Sequence, residues 1–284
     1  MTGFGVIAAA TLRECTRRRV FGVIVVLTVL FLGLYSLGTA TAFDHLGPPS
    51  PGDSNVDVTV LAGATLLGLA MFATLFLSTV VAVFLTFNVL RGDAEQGLLQ
   101  PMVVRPPGRV VFLAARFAAA AAVAAGYAAS VYAASAVITL LAGGWWPDQV
   151  LLPGLELAAA AVVVTAVSLA GSVYLSTVAN GIAVLMLFGA GLVGGLLGQI
   201  GDAIHSDTLS SIGTITSWAL PFDALYQAAL HALTGETSGI TGVIVHLGPL
   251  GGAQPAGPLL APWVAGYIGV VMCLAGAAFV RRDL

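Results

Sequence analysis

A polar stretch between the second and third apolar runs of the chain has the pattern of a short, capped helix. Asp93 can act as an N-cap, and Gln96 follows it at the spacing of a capping box. Leu98 and Leu99 then supply an apolar face, and a proline two residues later ends the helix. We expect about one to two turns of helix whose charged side faces water or a protein partner. The alternative is a solvated connector.

Catalysis and metal binding need residue patterns that the chain does not offer. Its ten basic residues are all Arg, so it cannot supply the lysine with which a P-loop reaches ATP phosphates. The two cysteines and the four histidines lack metal-ligand spacing. We therefore predict that the chain is not an enzyme. We expect no catalytic residue, no metal site, no cofactor bound by this chain and no nucleic-acid partner.

The composition indicates whether the helices of this chain lie in water or in a lipid bilayer. Apolar residues make up 58% of the 284 residues and charged residues 8%, and the mean hydropathy is +1.01. A soluble domain carries about 25% charged residues, so this chain is predicted to lie in a lipid bilayer. The apolar run from Val20 to Thr41 is longer than a signal peptide core of about 7–15 residues, and we interpret it as a retained first span.

The hydropathy pattern predicts one transmembrane domain, residues 1–284, of the all-α polytopic class. A membrane-spanning helix needs about 20 apolar residues, and six stretches meet that length. They run approximately over 20–41, 58–88, 111–142, 154–177, 181–200 and 261–280.

The arginines give this domain a predicted orientation. With six spans and both termini in the cytoplasm, all ten Arg lie inside, as the positive-inside rule requires. Nine of the thirteen acidic residues then lie outside. Trp145, Trp146, Trp218 and Trp263 fall near the outer ends of spans, where indole rings favour the headgroup region. The all-Arg, Ala-rich composition is typical of a GC-rich genome and hence indicates a bacterial plasma (inner) membrane.

Two regions flank or interrupt the spans with recognisable patterns. Residues 2–19 have apolar side chains at helical spacing and predict an interfacial helix, anchored at the inner surface by arginines that are attracted to anionic lipid. The anchoring residues are Arg13, Arg17, Arg18 and Arg19. The outer segment 201–260 is too long for a plain linker, and Asp223 is predicted to cap a helix that runs through Leu233.

Small residues and one carboxylate mark the fourth and fifth spans. Gly191 with Gly195, and Gly194 with Gly198, form GxxxG pairs that let helices approach closely. They predict either packing within one subunit or a dimer interface, and the sequence does not decide between the two. Glu156 is predicted to lie in the first turn of the fourth span, at the positive end of the helix dipole.

Several of these motifs together resemble the membrane subunit of a type-2 ABC exporter, over nearly the whole chain. In that family an acidic-Gly-Leu coupling helix and an Arg-Pro-x-x-Arg stretch lie between spans two and three. The matching residues here are Glu95, Gly97, Leu98, Leu99, Arg105, Pro106 and Arg109. The basic N-terminal segment, the closing Phe279-Val-Arg-Arg-Asp-Leu284 and the Pro221-Phe-Asp-Ala-Leu-Tyr226 segment also resemble the family. One departure is Arg116, where the family often has lysine.

The resemblance implies a division of labour between subunits. Two membrane subunits, identical or paralogous, would form the translocation path, and a separate ATPase subunit that holds ATP and magnesium would dock on the coupling helix. The coupling residues would be Asp93, Glu95, Gln96, Gly97, Leu98, Leu99, Arg105 and Arg109. Spans two and five would lie along the path, which makes Thr74, Ser78 and Thr79 candidate lining residues. Short outer helices would lie between spans five and six.

Two other functions fit a six-span chain. The first is a carrier or channel driven by an ion gradient, although the predicted placement of acidic residues outside the spans argues against a proton relay. The second is a non-transporting scaffold that recruits enzymes to the membrane.

Overall fold

The protein is an antiparallel bundle of helices. A computed structural model describes residues 19–46, 58–86, 109–147, 149–234, 254–255 and 257–281, and within these ranges it contains eight α-helices and no strand. In chain order they are α1 (Arg19–Leu46), α2 (Val58–Thr86), α3 (Arg109–Gly143), α4 (Leu151–Tyr174), α5 (Thr177–Ala203), α6 (Asp207–Ala219), α7 (Pro221–Thr234) and α8 (Leu260–Arg281).

Six of these helices are long and apolar enough to cross a membrane: α1 to α5 and α8. They confirm the six predicted spans, with ends that differ from the predicted ends by a few residues. Their outer surfaces are apolar, as lipid contact requires. Leu30, Leu34 and Leu37 of α1, for example, are each more than 60% exposed. The chain is therefore a multi-pass membrane protein in which α6 and α7 are the shorter, additional helices.

Contacts between helix ends define two ends of the bundle. At one end Phe43 of α1 meets Gly143 of α3, and Trp145 meets Gly63 of α2. The α6–α7 pair lies at this same end, which we call the hairpin end. At the other end Phe112 of α3 and Phe279 of α8 share an apolar cluster with the last turns of α4. We call this the arginine end, because α3 begins and α8 ends there with Arg.

The helix α4 lies at the centre of the bundle and contacts α2, α3, α5, α7 and α8. Its Leu157 is fully buried in a core that also contains Leu67 and Met71 of α2 and Tyr226 of α7. The helix α1 is peripheral. Two pairs of hydroxyl groups, each 2.6 Å apart, join it to α3, and together with apolar packing on α2 and α3 they hold α1 in place.

Two predicted helix starts were wrong in detail. The helix α4 begins at Leu151, so Pro153 lies in its first turn, where no backbone N–H donor is needed. Glu156 consequently lies one turn deeper than predicted and is half-buried. The helix α7 begins at Pro221, a residue preorganised for the first helical position. Asp223 is therefore inside the first turn of α7 and is not its N-cap.

Candidate functional site

Most residues of the predicted coupling region lie outside the described residues. These are Asp93, Glu95, Gln96, Gly97, Leu98, Leu99 and Arg105, while Arg109 is the first residue of α3. Of the predicted interfacial anchor, Arg13, Arg17 and Arg18 also lie outside, and Arg19 is the first residue of α1. The coupling helix and the interfacial helix thus stay predictions.

The predicted path-lining hydroxyls of α2 lie inside the subunit. Thr74, Ser78 and Thr79 are each fully buried. Each hydroxyl donates to a carbonyl one turn earlier in its own helix, at 2.7, 2.7 and 2.9 Å. Such a bond satisfies the hydroxyl group without any partner on another helix. The assignment of these residues to a translocation path therefore stays a prediction, because the hydroxyl groups are already satisfied within their own helix.

The predicted glycine face of α5 packs against α6 and α7 of the same chain. Gly191 faces the ring of Phe222, Gly194 faces Thr216, and a Cβ added at Gly198 would lie 3.0 Å from the Cα of Gly213. Because a side chain at these positions would meet atoms of α6 or α7, the glycines let the helices approach closely. Of the two uses left open by the sequence, the structure contains the packing within one subunit.

Gly195 leaves room for a buried polar pair on α7. A Cβ added at Gly195 would lie 2.8 Å from Nε2 of Gln227 and 3.0 Å from Oδ1 of Asp223. The Asp223 carboxyl group is 3% exposed, and Gln227 Nε2 donates to its Oδ2 at 2.7 Å. Burial raises the pKa of Asp223 to about 7, and the hydrogen bond from Gln227 lowers it by less. The pair is thus a proton-sensitive group close to neutral pH.

Tyr226 holds α7 against the core beside this pair. Its ring is 1% exposed, and its hydroxyl group donates to the carbonyl oxygen of Gly68 on α2 at 3.5 Å. Burial raises the pKa of Tyr226 and the negative charge of Asp223 raises it further, so the phenol stays protonated and remains a donor. The α6–α7 pair is therefore attached to α5 through glycines and to α2 through this tyrosine.

A cavity of about 280 Å³ opens at the hairpin end between α6, α7 and the start of α8. Its lining includes Ser217, Trp218, Gln227, Leu260 and Trp263. The sequence indicated the two tryptophans only as interfacial anchors. Their pairing across 45 residues could not be predicted, because it depends on how α6 packs against α8.

The arginine end contains a buried hydroxyl and amide network that sequence reasoning missed. Thr86 and Ser168 have hydroxyl groups 2.6 Å apart, which joins the last residue of α2 to α4. Asn180, near the start of α5, donates from Nδ2 to the carbonyl oxygen of Ser168 at 3.0 Å. The network fixes the point at which α2 leads into the predicted coupling region. Isolated Thr, Ser and Asn residues in apolar runs were the available sequence signal.

Comparisons with known proteins assign no family to this arrangement. Across the described part of the chain, no three His, Cys, Asp or Glu side chains are grouped so that they could hold a metal ion. A scan against protein-family models finds no match to the chain, and a search of curated proteins finds no similar one. What the structure shows is therefore a six-span helical membrane protein with the buried Asp223–Gln227 pair at its hairpin end.

Proposed function

We propose that the chain is the membrane-spanning subunit of an ATP-driven exporter of the type-2 ABC class. Two copies, or one copy and a paralogue, form the translocation path in a bacterial plasma membrane with both termini in the cytoplasm. A separate ATPase subunit, which holds ATP and magnesium, docks on the segment that contains Asp93, Glu95 and Gly97. Closure of the ATPase moves this segment and thereby changes access to the path.

The observation that carries the proposal is the difference between the two ends of the six-span bundle. At the arginine end, the buried contact of Thr86 with Ser168 joins the last residue of α2 to the central helix α4. At the hairpin end, α6 and α7 pack against α5, α4 and α2. A displacement at the arginine end would reach the hairpin end through α4 and α5, which touch both regions. An exporter needs this kind of connection between its energy input and its exit.

The exposed surface of α2 and α5 supports a second membrane subunit. Phe76 of α2 is 43% exposed, and its ring lies 6.0 Å from that of Phe188 on α5. Met186 and Val193 of α5 are 71% and 55% exposed. These exposed apolar side chains on α2 and α5 can be covered either by lipid or by another apolar helix pair. The proposal assigns this contact to the partner membrane subunit.

The test measures coupling in the complex that is purified from gently solubilised membranes. Glu95→Gln and Gly97→Val are expected to lower ATP hydrolysis by the co-purified ATPase at least tenfold in proteoliposomes, because they alter the docking helix. Asp53→Asn is the matched control, since it removes one carboxylate from the loop between the first two spans. It is expected to leave hydrolysis unchanged. Absence of any co-purified ATPase, or wild-type hydrolysis in both docking variants, contradicts the proposal.

One observation favours a carrier driven by an ion gradient as the second candidate. Oε2 of Glu156 is buried and has no hydrogen-bond partner within the described ranges. Ionisable groups inside a membrane-spanning helix are typical of proton relays. This function predicts substrate flux by the purified chain alone in liposomes, driven by a pH gradient without ATP, and loss of that flux in Glu156→Gln. ATP-dependent flux that Glu156→Gln leaves unchanged excludes it.

A further inference from the structure

The cavity at the hairpin end has an aromatic wall that the packing holds in place. The rings of Trp218 and Trp263 meet edge to face with centroids 5.1 Å apart. Nε1 of Trp263 donates to the carbonyl oxygen of Trp218 at 3.1 Å, which fixes the two indoles relative to each other. They are 48% and 39% exposed, so each retains surface that a ligand can reach. Indole faces attract cations more strongly than other aromatic side chains do.

A buried carboxyl group is hydrogen-bonded to one of the residues that line the cavity. Ala224 and Gln227 line the cavity, and Asp223 both precedes Ala224 in the chain and accepts the hydrogen bond from Gln227. Because Asp223 is 3% exposed, water screens its charge weakly and its field extends into the cavity. A cation in the cavity would favour the ionised form of Asp223 by opposite charge, against the burial that raises its pKa to about 7.

The chain itself supplies no permanent cation to balance this carboxylate. No Arg or Lys occurs between Phe117 and Val280, which includes every residue of α4 to α7 and the aromatic wall. Arg281 ends α8 at the arginine end, a full helix length away from Trp263. The hairpin end therefore combines electron-rich rings, a buried carboxyl group and no fixed positive side chain.

We propose that this cavity binds a small quaternary or tertiary ammonium group, with Trp218 and Trp263 as the aromatic contacts and Asp223 as the buried counter-charge. Its volume of about 280 Å³ is near the lower end of about 300–1,000 Å³ for ligand pockets, which suits a headgroup-sized cation. The ammonium group belongs either to a free solute or to a lipid headgroup. The proposal goes beyond export by the chain and does not depend on it, since binding requires no ATPase.

The test compares two ligands of the same shape that differ in charge. The full chain is placed in nanodiscs of phosphatidylglycerol, and binding of labelled choline is measured against competition by unlabelled choline or 3,3-dimethylbutan-1-ol, in which a carbon replaces the ammonium nitrogen. We expect saturable choline binding, and at least tenfold weaker competition by the neutral alcohol. Equal competition by the two compounds, or no saturable choline binding, overturns the proposal.

Variants inside the cavity, each compared with a control variant outside it, test whether choline binds in this cavity. Trp263→Leu and Asp223→Asn are each expected to weaken choline binding at least fivefold. Trp146→Leu and Asp202→Asn remove an exposed tryptophan and an exposed carboxylate at the same end, and they are expected to leave it unchanged. Equal effects in the test and control variants overturn the proposal. Asp223→Asn keeps the size of the side chain, so it remains informative if Trp263→Leu fails to fold.

The lipid composition identifies the source of the ammonium group. In nanodiscs of phosphatidylcholine, a lipid headgroup that occupies the cavity competes with free choline and lowers its apparent affinity at least fivefold. Unchanged affinity assigns the cavity to a free solute. Both results are measured on the wild-type chain, and Asp223→Asn provides the background in each lipid.

Discussion

Asp223 shows how a single position couples packing to protonation. The glycine at 195 removes a side chain from α5 at the place where the Asp223–Gln227 pair needs space. Because the pair is buried, the charged form of the acid costs more than the neutral form. Gly195 allows α5 to approach α7 closely, and this close approach buries Asp223. The contact between the two helices is therefore sensitive to the protonation of Asp223. The sequence shows Asp223 as a polar residue, but it does not show that the side chain is buried.

The pH dependence of stability at Asp223 has a defined sign. Its pKa rises from 3.8 to about 7 on burial, so the folded state holds this proton more tightly than a state in which α7 is detached. The stabilisation is complete below about pH 4 and is lost as the pH rises to about 7, by up to about 4 kcal/mol. Tyr226 is the titratable group that the Asp223 charge acts upon, and its protonated form does not change over this range.

Thermal unfolding in detergent measures this contribution. We expect the midpoint of the wild-type protein to be lower at pH 8 than at pH 5.5, and Asp223→Asn to reduce that difference by at least half. Asp202→Asn, an exposed carboxylate on α5, is the control and should retain the wild-type difference. Identical pH profiles for wild type and Asp223→Asn would refute the assignment.

At the scale of helices, the α5–α6 crossing depends on contact between two backbones. A Cβ added at Gly213 of α6 would meet the Cα of Gly198, and it would lie 2.9 Å from the Gly198 nitrogen and 3.3 Å from the Gly194 carbonyl oxygen. Backbone atoms cannot rotate away as a side chain can, so the helices must separate if Gly213 is enlarged.

An alanine pair tests the crossing directly. Gly213→Ala is expected to destabilise the protein by about 1–3 kcal/mol, the usual cost of overpacking, and to expose the α6–α7 connection to protease. Gly189→Ala on α5 is the matched control, because no atom lies within 4 Å of its added Cβ. It should be neutral or stabilising, since alanine favours helix over glycine. Equal unfolding midpoints for the two variants would contradict the crossing.

The spans were predictable from the sequence, and the short helices were predictable only in part. Long apolar runs specify α1 to α5 and α8, because lipid requires each run to satisfy its own backbone. The helix α7 was recognised from its apolar face, including Tyr226 and Leu233, although it begins three residues earlier than an N-cap at Asp223 predicts. The helix α6 is rich in Ser, Thr and Ile, which are weaker helix formers than Ala or Leu, and it contains one Gly. Its helical state depends on packing against α5.

The candidate site was less predictable than the spans, because it depends on contacts between helices that are far apart in the sequence. GxxxG spacing indicated that α5 packs closely against something, and the partner was found in α6 and α7 of the same chain. The sequence marked Trp218 and Trp263 as interfacial residues, yet their contact joins segments 45 residues apart. Burial of Asp223 likewise follows from tertiary packing. Spacing identifies a helix face, and only the assembled bundle identifies what covers it.

At the scale of the whole molecule, the bundle has two unlike ends and a predicted orientation. Arg109, Arg116 and Arg281 lie toward the arginine end, and two further arginines, Arg91 and Arg105, occur in the segment that joins α2 to α3. The positive-inside rule predicts that this end faces the cytoplasm. The hairpin end, with Asp223 and the aromatic cavity, is then predicted to face the opposite side.

Reporter fusions test this orientation. A fluorescent protein fused after Val103 or after Leu284 is expected to fold and fluoresce, because both positions lie on the predicted cytoplasmic side. Alkaline phosphatase fused after Gly52 or after Val245 is expected to be active, because it needs the oxidising outer compartment. If alkaline phosphatase fused after Val103 is active while the fusion after Leu284 fluoresces, the two positions lie on opposite sides, and an odd number of spans between them would contradict the six-span topology.

The peripheral position of α1 has a consequence for biogenesis. Its hydroxyl partners on α3, Tyr127 and Thr139, are synthesised 99 and 104 residues after Thr28 and Tyr35. The nascent first helix must therefore remain in the bilayer without those partners, and its outward leucines allow lipid to stabilise it meanwhile. Insertion and lateral assembly are consequently separate events for α1. A defect in its docking would leave a correctly threaded chain with an unattached first helix, which quality-control proteases in the membrane can recognise.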